Sequence, residues 1–127
     1  MSRRYLNLQE AESALKREKA VECFIGGCER DGRAGIKWLS VRSSGPGIDV
    51  SVYETADLGD ESFLDIYEFD PLDPDLELEE ADEVISFASF GQAIEFIELR
   101  FAGSSERLLN ELMVQEEYAD FISRGRK

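Results

Sequence analysis

The chain has 127 residues, 43% of them hydrophobic and 10% aromatic, which is enough for one buried core and too much for a disordered chain. It carries a net charge of -14, from 28 acidic and 14 basic residues, and has no histidine. Without histidine no Ser-His-Asp or Cys-His arrangement can be assembled, and no side chain titrates near neutrality unless its surroundings shift it.

Asn7 followed by Glu10 forms a capping-box pattern, and Leu8, Ala11 and Leu15 then fall on one helical face. The spacing predicts a helix from Leu8 to Lys19. Val21 to Ile25 is a short apolar run and predicts a strand. Residues 26 to 35 contain four glycines and predict a turn. Ile36 to Val41 predicts a second strand anchored by Trp38. Ile48 to Glu54 alternates cleanly, with Ile48, Val50 and Val52 on one face and Asp49, Ser51 and Tyr53 on the other. Phe63 to Phe69 alternates as well and reads as a fourth strand. Asp70 to Asp82 holds Pro71, Pro74 and a run of acids, so it is expected as a surface loop. Glu83 to Phe87 reads as a short fifth strand.

Ser89 with Gln92 repeats the capping pattern ahead of Ala93, Ile94, Ile97 and Phe101 at helical spacing, and Gly103 is a natural stop. Leu108, Leu109 and Leu112, then Tyr118, Phe121 and Ile122, predict one or two further helices. The expected class is α+β in a single domain. It comprises an antiparallel meander sheet of four to five strands, with an N-terminal helix and C-terminal helices packed on one face. Trp38, Ile66, Ile94 and Ile97 are expected to share the core.

The charge is segregated. No Lys or Arg lies between Arg42 and Arg100, a stretch holding 17 acids, while the remainder holds 11 acids against all 14 bases. Such a field repels nucleic acids and anionic membranes and attracts basic protein surfaces. The expected partner is therefore a basic protein. The expected contact residues combine the acidic middle with sheet aromatics: Tyr53, Asp57, Asp60, Glu61, Asp65, Tyr67, Asp70, Asp73 and Asp75.

Other chemistries find little support in the residues. The glycines match no phosphate loop. Cys23 and Cys28 without histidine make a poor zinc set, and no metal or cofactor is expected. The Asp70 to Glu77 run resembles a set of ligands for a hard cation but lacks the glycine of an EF-hand turn. Asp49, Asp65 and Glu68 supply carboxylates but nothing that positions a substrate. No apolar run reaches the roughly 18 residues of a membrane span, and the Met-Ser-Arg-Arg-Tyr opening leads into no apolar stretch, so a cytoplasmic protein is expected.

Size, charge and α+β layout, with the segments Ser89-Phe90-Gly91-Gln92-Ala93-Ile94 and Val114-Gln115-Glu116-Glu117-Tyr118, resemble small acidic immunity proteins of bacterial polymorphic-toxin and contact-dependent inhibition systems. The resemblance implies a cytosolic, non-enzymatic protein that binds and neutralises a toxin domain, often a nuclease. The alternative is an acidic regulatory or interaction domain with another partner.

Overall fold

The computed structural model describes residues 4–126. A five-stranded antiparallel sheet forms its centre, in the order β4-β3-β2-β1-β5. Strands β1 (Val21–Arg30), β2 (Arg33–Ser44), β3 (Gly47–Ala56) and β4 (Glu83–Phe87) form a meander, and the short β5 (Leu109–Asn110) joins the free side of β1. Helix α1 (Leu8–Lys16) precedes the sheet. Helices α2 (Phe90–Arg100) and α3 (Val114–Ser123) follow it. The α+β class is as expected. Among the described residues no helix is long and apolar enough to cross a membrane.

Both capping signals act. Asn7 and Glu10 form the full reciprocal box at α1, and the Ser89 side chain accepts from the Gln92 amide at α2. Helix α1 stops at Lys16, earlier than its apolar spacing suggests.

The first hairpin is longer than predicted. The glycine-containing segment after Ile25 continues β1 to Arg30, and the chain reverses at Asp31-Gly32, both at positive φ (52° and 79°). That is the Asp-Gly geometry whose twist matches a two-residue hairpin turn. The register slips between Phe24 and Gly26, leaving Ile25 as an extra residue. Gly26 adopts φ 143° at this bulge, a conformation an L side chain rarely takes.

Phe63 to Phe69 is not a strand. Its alternation is real, but its backbone joins no ladder and closes a 3-10 turn at Ile66–Glu68 instead. The connection from β3 to β4 therefore runs from Asp57 to Asp82 without a strand of its own. It is nevertheless pinned to the sheet. Ala56 N–H donates to the Asp70 carbonyl, Leu72 N–H to the Glu54 carbonyl and Asp82 N–H to the Val52 carbonyl, at 2.8 to 3.0 Å.

Both faces of the sheet are covered, because its strands alternate between two apolar sets. Val21, Cys23, Leu39, Val41, Val50 and Val52 point to one face, where α1 and α2 pack with Ala11, Ala14, Leu15, Ala93 and Ile97. Phe24, Ile36 and Trp38 point to the other, where α3 supplies Tyr118 and Phe121 and the 57–82 connection supplies Ile66 and Phe69. The helices are thus shared between two faces rather than stacked on one. Trp38 and Ile66 share one core, Ile97 belongs to the other, and Ile94 is half-buried against the latter. Leu109 enters β5 and α3 begins at Val114, so of the one or two helices expected after α2 a single α-helix forms, preceded by a 3-10 turn at Ser104–Glu106.

Candidate functional site

The second face of the sheet is not filled to its edge. Beside the Phe24–Tyr118–Phe121 aromatic packing lies a cavity of about 320 Å³ between the strands and the returning connection. Glu22, Trp38, Tyr53 and Thr55 line it from the sheet, and Tyr67, Glu79 and Glu80 from the connection. Arg42 and Ser40 of β2 and the buried Ile66 and Phe69 complete the lining.

Strand register builds the aromatic part. Trp38 and Tyr53 are directly opposed across β2 and β3, and their rings stack at 4.2 Å with 8° between planes. Tyr67 comes from the 3-10 turn, and its ring lies perpendicular to Trp38 at 5.3 Å and 89°. Asp65 accepts from the Tyr67 amide at 3.2 Å and so caps that turn. The Tyr67 hydroxyl donates to both oxygens of Glu22 at 2.7 and 2.8 Å, and the Leu112 amide donates to Glu22 at 2.7 Å. Burial pushes the Glu22 carboxyl above the ordinary range, against those hydrogen bonds. The Tyr67 phenol is pushed well above its usual value, first by burial and then by its bond to Glu22.

Two polar atoms on lining residues are left over. Trp38 Nε1 and Thr55 Oγ1 are buried and have no hydrogen-bond partner. Such groups are uncommon in native interiors and costly to leave unmade. Arg42 is exposed and forms no ion pair among the described residues.

Tyr53 and Tyr67, both expected at a contact surface, are thus brought together on one cavity. The expected acids separate into two groups. Asp57 is withdrawn, its side chain only 5% exposed, where it accepts from Tyr118 and from Arg126 Nε. It is an anchor of the fold and not an open contact residue. Asp73 faces Arg30 at 3.8 Å and accepts from the Asp75 amide at 2.9 Å. Asp60 accepts from the Ser62 amide and hydroxyl, which lower its pKa below the ordinary carboxylate value. Glu61, Asp70 and Asp75 are exposed and carry no ion pair with a described base. None of these six acids lines the cavity.

Glu22, Arg42, Glu79 and Glu80 were not singled out from the sequence, and Trp38 was read as a core anchor alone. One signal was available. Glu22 interrupts the apolar run Val21 to Ile25, and a carboxylate inside such a run marks a buried polar group that needs partners.

The other ionic clusters tie the chain together. Arg30 pairs with Glu54 at 2.8 Å and Asp82 at 3.5 Å, and Lys37 pairs with Glu54 at 2.9 Å. Both cysteines are free thiols, and Cys23 is buried. No protein-family model, curated protein or solved structure matches this chain.

Proposed function

We propose that this chain is a non-catalytic binding protein whose 57–82 connection and adjoining cavity cover a basic protein surface, as an immunity-type inhibitor covers a nucleic-acid-cleaving toxin domain. The observation that carries this reading is the state of the acids. Those tied to bases or buried, Glu54, Asp57 and Asp82, hold the connection against the sheet. Those left unpaired, Glu61, Asp70, Asp75, Glu77, Glu79 and Glu80, are all exposed on that same connection. Unpaired carboxylates on a segment fastened to the sheet present a strong local field without the ordering cost of a loose tail. A nuclease must attract phosphates and is therefore basic around its active site, so such a segment can occupy that site and exclude the nucleic acid.

The test is capture followed by inhibition. Immobilised protein is exposed to lysate of the source organism at low salt, and bound protein is released at about 0.5 M salt, where attraction between exposed charges is screened within a few ångströms. The expected result is a basic protein that cleaves nucleic acid, and whose cleavage stops on adding one equivalent of this chain. A captured protein that is acidic, or whose release ignores salt, overturns the reading.

A further inference from the structure

The geometry points to the cavity on the second sheet face as the receptor for one arginine side chain of the basic partner, an inference that rests on the reading above. Size limits the occupant first. At about 320 Å³ the cavity lies at the small end of ligand sites and suits a single side chain better than a nucleotide or cofactor.

Charge and surface limit it next. Glu22, Glu79, Glu80 and Arg42 line the cavity together, Glu22 being already taken up by Tyr67 and Leu112. Glu79 and Glu80 are exposed and pair with no described base, so an anion entering here meets like charge. The wall is aromatic, with Trp38, Tyr53 and Tyr67 in one contiguous set. Aromatic faces with nearby carboxylates attract cations, and the flat guanidinium stacks on rings and forks onto carboxylates where a compact ammonium does neither.

The exposed Arg42 on the lining favours a peptide over a free cation. Its guanidinium only donates and pairs with no described acid, so it needs an acceptor. An arginine within a polypeptide brings both kinds of group, donors on its side chain and acceptors in its backbone carbonyls. A metal ion or a polyamine brings no acceptor.

Trp38 is the single tryptophan of the chain and lines this cavity, so tryptophan emission reads changes at its wall. Intact protein is titrated with acetyl-Gly-Arg-Gly-amide, with the same peptide carrying neutral citrulline, and with a Gly-Glu-Gly peptide. The expected result is a saturable emission change with the arginine peptide. Affinity should be about tenfold weaker for citrulline, and about tenfold weaker for arginine in the E79Q/E80Q double variant. Both glutamates are exposed, and an unchanged melting curve confirms that the double variant folds. Equal response to citrulline, stronger response to the glutamate peptide, or no response to arginine each overturn the cavity assignment. Capture of the basic partner is measured separately on the same proteins. If capture persists in the parent while the arginine peptide has no effect, the cavity inference alone fails; if capture is absent, the binding reading fails.

Discussion

The Tyr118 hydroxyl bridges the two ends of one anchor, accepting from the Gly59 amide at 2.9 Å and donating to the Asp57 carboxylate. Arg126 closes the set, with Nε 2.8 Å from Asp57 and a second nitrogen 2.7 Å from the Gly59 carbonyl. Helix α3 is thereby fastened to the point where the acidic connection leaves the sheet. Tyr118→Phe should therefore lower stability by about 1–3 kcal/mol, the usual result of stranding buried partners. Asp57→Lys should cost more, because it also sets a cation against Arg126. Glu61→Lys, four residues along, exposed and without an ion pair to a described base, should stay within about 0.5 kcal/mol. Urea denaturation of the three variants decides the matter. Equal losses at positions 57 and 61 would show that the anchor does not hold in solution.

A second fastening depends on the absence of a side chain. A Cβ at Gly35 would lie 2.4 Å from Leu72 Cδ1 and 2.7 Å from the Thr55 carbonyl oxygen. Leu72 is buried and is how the connection grips β2 and β3. Gly35→Ala should thus cost about 1–3 kcal/mol through overpacking, with the cleavage of residues 57–82 by a protease accelerated. Pairing it with Leu72→Ala should not restore stability, since the clash with the Thr55 backbone remains. Full rescue in the double variant would place the whole conflict on the leucine.

The cavity makes a pH prediction through Glu22. Its folded pKa is raised, chiefly by burial, so the folded state binds this proton more tightly than the unfolded chain does. The associated stabilisation is complete below the unfolded carboxyl value and disappears as pH rises through the raised folded value. Glu22→Gln removes the titration while keeping an acceptor for Tyr67 and Leu112. Relative to the parent it should gain stability on going from pH 4 to pH 8. Glu61→Gln, exposed and far from the cavity lining, serves as the control for net charge and should not show that gain. Thermal melts of the three proteins at both pH values measure it, and parallel curves for positions 22 and 61 would contradict the assignment.

Much of this fold could be read from local pattern, and the parts that could not have identifiable causes. The strict alternation of Ile48, Val50 and Val52 marks β3, and side-chain caps at Asn7 and Ser89 mark two helix starts. Phe63 to Phe69 misleads because its period of two coincides with a different need. Ile66 and Phe69 are both buried against aromatic neighbours across the connection, which a 3-10 turn achieves without a ladder. The length of β1 was hidden by glycines that usually signal turns, although Asp31-Gly32 was the true hairpin signal. The two-sided sheet was legible in β2, where Ile36 and Trp38 alternate with Leu39 and Val41 across both faces. The cavity was not, because Glu22, Trp38 and Tyr67 meet only through pairings distant in sequence.

The final prediction separates a directed field from mere net charge. Glu77→Lys, Glu79→Lys and Glu80→Lys together reverse three exposed acids of the connection, whereas Glu18→Lys, Glu29→Lys and Glu116→Lys reverse three exposed acids elsewhere. Both triples change net charge equally, and neither set forms an ion pair with a described base, so both should fold with little loss. Association of each with the captured basic partner is followed by stopped flow from low salt to about 0.3 M. Steering acts over about 10 Å at 0.1 M salt, so acids near the interface should dominate the rate. The connection triple should associate at least tenfold more slowly and show a flatter salt dependence, while the remote triple should lose much less. Equal slowing would reduce the effect to net charge. No slowing in either would leave the acidic connection as solvated surface and remove the observation on which the binding proposal rests.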